Sequence, residues 1–100
     1  MRRIVIAALL AFAASSAIAA DHAVEIKGMK FTPASLSVAA GDSITFTNMD
    51  AAPHTATAEG GGFDTGRLNK GESATVTVAA GEHAYKCVFH PSMRGSVTAE

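Results

Sequence analysis

The chain contains one cysteine, Cys87. In Tyr-Lys-Cys-Val-Phe-His-Pro-Ser-Met-Arg-Gly a histidine follows at the third position and a methionine at the sixth. Cys87, His90 and Met93 thus fall within seven residues. A thiolate and an imidazole bind copper or zinc strongly, whereas a thioether is a weak, soft donor from which zinc gains little. Two imidazoles and a thiolate in a trigonal plane, with a distant thioether above it, form a copper geometry suited to electron transfer. The Cys-x2-His-x2-Met segment supplies one of those imidazoles, so the second must come from elsewhere.

Three histidines remain. His22 lies near the start of the expected mature chain, where it is expected to fray. His83 shares a strand with Tyr85 and Cys87 but stands four residues from the cysteine, about 13 Å along an extended chain, too far to share an ion. His54 is the remaining candidate, 87 − 54 = 33 residues before Cys87 and at the end of the run Thr-Phe-Thr-Asn-Met-Asp-Ala-Ala-Pro. Singly, each residue has an ordinary reading: Cys87 as a small buried hydrophobe, Met93 as core filler, His90 as a surface residue, His54 as a turn residue beside Pro53. Together they point to one copper ion held by His54, Cys87, His90 and Met93.

Such a set needs a frame that brings distant strand ends to one pole. Period-two alternation runs through Ala23–Phe31, Ala34–Asp42, Ser43–Asn48, Ala74–Val78, His83–Phe89 and Gly95–Ala99. The runs are rich in Val, Ile, Thr and Phe and are separated by Gly, Asp and Pro. That pattern predicts an all-β, single-domain sandwich of antiparallel strands. Residues 59–72 read as a long glycine-rich connection with only a weak strand signal. No stretch after residue 20 holds a helical period.

Arg2 and Arg3, an apolar run, and the small residues of Ala17-Ile18-Ala19 read as a signal peptide over 1–20, leaving a mature domain over 21–100. The strongly apolar part is shorter than the roughly 20 residues needed to span a bilayer, so no membrane anchor is expected after cleavage. Without Arg2 and Arg3 the charge is 6 − 9 = −3, with no basic patch, which argues against a nucleic-acid partner. A single cysteine in an exported chain makes no internal disulfide and suits a metal ligand. No paired carboxylate site, nucleophile triad or phosphate loop is present. The spare histidines are too few for a type 2 or trinuclear copper site. No enzymatic activity is therefore expected.

At these residues the sequence resembles the cupredoxins, most closely the amicyanin branch. The pattern Y-x-C-x-x-H-P-x-M-x-G-x-V is matched by Tyr85, Cys87, His90, Pro91, Met93, Gly95 and Val97. Upstream, Gly-Asp-Ser-Ile-Thr-Phe-Thr-Asn-Met-Asp-Ala-Ala-Pro-His-Thr is similar to the block ending in that family's first histidine ligand. The resemblance implies a Greek-key sandwich and a periplasmic, monomeric carrier of single electrons holding one type 1 copper. His54, Cys87 and His90 would be its equatorial ligands and Met93 its axial one. It also implies redox partner proteins, a periplasmic dehydrogenase as donor and a c-type cytochrome as acceptor. An apolar ring around His90 is expected from Met29, Ala51, Ala52, Pro53, Phe89 and Pro91. The other reading is a copper trafficking or storage protein.

Two residues depart from the branch. Thr55 stands where amicyanins carry asparagine; its N–H can still reach the cysteine sulfur, and its hydroxyl can tie the two ligand loops together. Phe89 stands where the pattern has proline, leaving a backbone N–H available as a second donor to the thiolate.

Overall fold

In the computed structural model, residues 18–100 are described and are all β, without a helix. None among them is therefore long and apolar enough to cross a membrane. The expected signal peptide lies outside the described residues, apart from its last three. Eight strands follow: β1 (Asp21–Ile26), β2 (Phe31–Thr32), β3 (Ser35–Val38), β4 (Ser43–Asn48), β5 (Thr57–Ala58), β6 (Ser73–Thr77), β7 (Gly81–Lys86) and β8 (Arg94–Ala99). They form two four-stranded sheets, in the orders β2-β1-β4-β6 and β3-β8-β7-β5. Only β1–β2 and β7–β8 connect within a sheet; every other connection crosses the sandwich.

Both sheets are mixed, which corrects the antiparallel expectation. β1 runs parallel to β4, and β3 parallel to β8. Alternation records which face of a strand is buried and carries no information on strand direction. Direction was decided by the crossovers.

The alternation itself holds. Val24 and Ile26 of β1, Ile44 and Phe46 of β4, Tyr85 of β7 and Val97 of β8 all face the interior. Each such side chain, fully withdrawn from water, contributes roughly 1.5–3 kcal/mol. The centre is aromatic: Tyr85 meets Phe31 and Phe46 edge-on, with ring centroids 4.7 and 5.4 Å apart, and Phe63 stacks on Phe46 at 6.0 Å. Phe63 and Leu68 bring the 59–72 connection into this core, so that segment is packed although it reads as a loop.

Two tight features fix the frame. Lys27 and Lys30 exchange backbone hydrogen bonds around Gly28 and Met29, whose φ values are 64° and 62°. Positive φ at both central residues is what a two-residue hairpin turn of this twist demands, and glycine meets it freely whereas methionine does so under strain. At the other end of β1, the carboxylate of Asp42 accepts the N–H groups of Ala20 and Ala39 and the Nε2–H of His22. His22 is therefore fastened, not frayed as the sequence suggests. The His22 hydrogen bond, followed by the two backbone donors, draws the Asp42 carboxyl down to about 2.

Asp42 thus contributes stability that is complete above about pH 4, the ordinary aspartate range, and is lost as pH falls toward 2. Asp42→Asn should flatten this part of the acid-unfolding profile followed by circular dichroism. In the core, the Tyr85 hydroxyl is buried without a hydrogen-bond partner, and the Tyr85 ring lies directly over Gly95, its ladder partner. Tyr85→Phe should raise stability by about 1 kcal/mol in urea unfolding, and Gly95→Ala, whose Cβ would strike the ring, should lower it by roughly 1–3 kcal/mol.

Candidate metal centre

The spacing of Cys87, His90 and Met93 has a local cause. The His90 N–H donates to the Cys87 carbonyl at 3.2 Å and the Met93 N–H to the His90 carbonyl at 2.9 Å. These are two consecutive four-residue turns, so the three candidate ligands sit at successive turn corners. Pro91 occupies the second position of the second turn, where its fixed φ is favoured. The Cys87 N–H then donates to the Met93 carbonyl at 3.1 Å and closes the loop at the mouth of the β7–β8 hairpin. Cys87 and Met93 are buried in the core cluster, and His90 is half-buried.

The segment carrying His54 is held from below. Asn48, wholly buried at the end of β4, donates its amide to the carbonyls of Ala52 and Leu68 and accepts the Asp50 N–H. His54 and Leu68 exchange backbone hydrogen bonds of 3.1 and 2.8 Å. The glycine-rich connection therefore covers the histidine, whose exposure is 0%. Its Nε2–H donates to Asp50 Oδ2 at 3.0 Å, which leaves the Nδ1 lone pair for the interior. Asp50 also accepts the N–H groups of Met29 and Gly28, and these two donors, more than His54, hold its carboxyl below the usual range.

His54 Nδ1 lies 3.7 Å from Cys87 Sγ. Bond lengths of roughly 2.0–2.1 Å to imidazole and 2.3 Å to thiolate, at 120° in a trigonal plane, place the two donor atoms about 3.8 Å apart. The His54 and His90 rings are 5.1 Å apart at 65°. Two imidazoles sharing an ion at those bond lengths have centroids about 5–5.5 Å apart. Across the gap, the Thr55 N–H donates to Cys87 Sγ at 3.4 Å, and the Val88 N–H donates to Thr55 Oγ1 at 3.0 Å. Both roles anticipated for Thr55 are present. Phe89 differs: among the described residues Thr55 alone donates a backbone hydrogen bond to the sulfur.

The fold thus brings His54, Cys87 and His90 together at one pole, with Met93 closing the same loop. Among the described residues no group of three or more His, Cys, Asp or Glu side chains is already disposed to hold an ion. The close pair is His54–Cys87. His83 lies away from it, against Phe63, with its Nε2–H on the Ala79 carbonyl. Asp50, Asn48 and Leu68 position His54 and were not singled out from sequence. Asn48 and Asp50 stand within the upstream block quoted above, and that was the only available signal.

A cupredoxin-like domain matches residues 2–99 of the chain. The chain belongs to the cupredoxin family. It is 31% identical over 112 residues to amicyanin-alpha of Methylorubrum extorquens, covering 94% of each chain. It is 33% identical over 95 residues to the amicyanin of Paracoccus denitrificans, covering 89% of this chain and 72% of that one. An amicyanin variant with methionine replaced by alanine, in its Cu(I) form, superposes with a TM-score of 0.73 at 30% identity over 79% of this chain and 81% of that one. The general character is that of a blue copper protein of electron transfer, similar to the amicyanins, and its cofactor is a single type 1 copper ion. The donor types fit that ion: an imidazole and a thiolate at a trigonal separation, a second imidazole ring 5.1 Å from the first, and a soft thioether in the same loop.

Thr55→Val keeps the shape and removes the acceptor of the Val88 N–H. The expected loss is roughly 1–3 kcal/mol, read from denaturant unfolding. Hydrogen exchange at the Val88 amide should accelerate in parallel.

Proposed function

We propose that the chain is a periplasmic electron carrier and not an enzyme, with His54, Cys87 and His90 as equatorial ligands of the copper and Met93 as its axial ligand. The observation that carries this reading is the 3.7 Å approach of His54 Nδ1 to Cys87 Sγ, across 33 residues of sequence. Bound copper supplies a one-electron couple between Cu(I) and Cu(II). The protein supplies a site that changes little between the two states. His54 is buried and bonded to Asp50, Cys87 is buried and bonded to Thr55, and the loop from 87 to 93 is closed by its own backbone. Little reorganisation is then required of the ligands when charge moves.

The half-buried His90 is the route outward. Around it we place the apolar rim of Met29, Ala51, Ala52, Pro53, Phe89 and Pro91. Met29 is 44% exposed and Phe89 45%, and the Arg67 guanidinium lies 5.8 Å over the Phe89 ring. A rim of this kind suits a brief encounter with a redox protein, which buries little area. The partners in this reading are a periplasmic dehydrogenase as donor and a c-type cytochrome as acceptor, the carrier acting as a monomer. Residues 1–20 carry a signal peptide cleaved on export near Ala19/Ala20, and 21–100 form the working domain.

Loading with Cu(II) should give one ion per chain by mass and an intense blue thiolate-to-copper band, and chelation of the metal should lower the thermal midpoint. Cys87→Ser should abolish the band. A weakly coloured cupric protein that prefers Cu(I) would instead establish the trafficking or storage reading.

A further inference from the structure

At the far end of β4 from the metal centre, Asp42 is 6% exposed and its two oxygens are used differently. Oδ2 accepts the Ala39 N–H at 3.0 Å and the His22 Nε2–H at 2.9 Å, while Oδ1 accepts only the Ala20 N–H, at 3.0 Å. The Ala20 carbonyl in turn accepts the Ser43 N–H at 3.0 Å. Residue 20 is thus fastened by both of its polar groups, immediately before β1.

Ala17-Ile18-Ala19 puts alanine at the first and third positions before a cut, the spacing that signal peptidase reads. The bond so marked is Ala19–Ala20. Hydrolysis there adds the water oxygen to the Ala19 carbonyl carbon, breaks the C–N bond and leaves the protons on the nitrogen. The nitrogen set free is the one that Asp42 already holds. Before the cut it is a neutral amide; afterwards it is an α-ammonium, charged below about pH 8.

The geometry points to Asp42 as the receptor of the processed amino terminus, so that cleavage after Ala19 converts an amide–carboxylate hydrogen bond into an ion pair that locks β1 against β4. This rests on the reading of the amino-terminal segment as a leader cleaved near Ala19/Ala20, with the cut at the Ala19–Ala20 bond. The new charge meets Asp42 Oδ1, the oxygen that His22 does not use, and so does not displace His22. The neighbouring Asp21 carboxylate is taken up by Ser43 Oγ at 2.6 Å and Thr45 Oγ1 at 3.1 Å. His22, on the same carboxylate, and Asp21 are titratable groups beside the new terminus, and Glu100 is fastened to Val38 next to the Asp42 turn. The pair is charge-assisted, between a buried carboxylate and an exposed terminus, which makes it stronger than the neutral bond it replaces.

The test begins with the full chain exported from a bacterial host, loaded with copper and weighed intact. Its thermal midpoint is followed from about pH 6 to about pH 11, a span bracketing the ordinary α-amino range. A protein one residue longer, beginning at Ala19 so that the Ala20 nitrogen remains an amide, is measured beside it, together with Asp42→Asn in both lengths. The exported protein should begin at Ala20 and melt higher than the longer one by roughly 2–6 °C near neutral pH. Pairing raises the ammonium's folded pKa above its unfolded value, so the advantage is full below about pH 8 and disappears as pH rises through the raised value. Asp42→Asn should erase the difference between lengths; the wild-type pair alone decides the matter if that variant does not fold. An exported product that keeps its leader overturns the export reading. Cleavage at another bond, or equal midpoints for the two lengths throughout, overturns the ion pair and leaves the leader reading standing.

Discussion

The site depends on one cross-link between two distant pieces of chain. The Thr55 N–H reaches the Cys87 sulfur and the Thr55 hydroxyl receives the next N–H, from Val88. These two hydrogen bonds set how far residue 54 stands from residue 87, and hence the separation of their donor atoms. Both bonds are buried or partly buried, where an unmade donor is costly, so the arrangement is stiff. A site with looser loops would pass through geometries suited to one oxidation state and not the other. Here the polypeptide's own hydrogen bonds fix the separation of the His54 and Cys87 donor atoms.

Behind that cross-link stands a clamped strand pair. β1 and β4 run parallel, and an aspartate brackets β4 at each end. Asp42 and Asp50 have the same chemistry: each accepts two backbone N–H groups and one histidine Nε2–H. Three donors on one carboxylate favour its charged form, which accounts for the lowered pKa of both. At the Asp42 end the imidazole belongs to the frame. At the Asp50 end it belongs to His54, and the same oxygens also relieve the strained turn at Gly28 and Met29. An exposed apolar tip and a buried imidazole are therefore fixed through a single carboxylate.

The contrast between the interior and its margin fits a protein that moves electrons. His54, Cys87 and Met93 are withdrawn from water, and His90 alone is half-exposed among the candidate ligands. Withdrawal limits the solvent reorganisation that accompanies a change of charge, and the exposed apolar residues leave a dry margin for brief contact. The aromatic centre of Tyr85, Phe31, Phe46 and Phe63 lies behind the site and resists its distortion.

Much of this was legible in the sequence where it depends on neighbours along the chain. Cys87, His90 and Met93 are spaced by two consecutive turns, so the loop announces itself. Buried faces could be read because side chains alternate across a strand. His54 was reached by elimination among four histidines, and Thr55 by its place in the resemblance. Asp50, Asn48 and Leu68 were not recognised as supports of His54, because their roles include hydrogen bonds to groups that lie up to 22 residues away. His22 was misjudged for the same reason, since its partner Asp42 is also distant in sequence. The mixed direction of the sheets was invisible, as alternation is identical in parallel and antiparallel strands. By itself, then, the order of amino acids determined the class of fold, the candidate ligand types and the turns of the 87–93 loop, all consequences of short-range spacing. The tertiary structure alone decided strand direction, the 3.7 Å approach of His54 to Cys87 and the carboxylates that fix the imidazoles, because these are distances between segments that only the packed sandwich brings side by side.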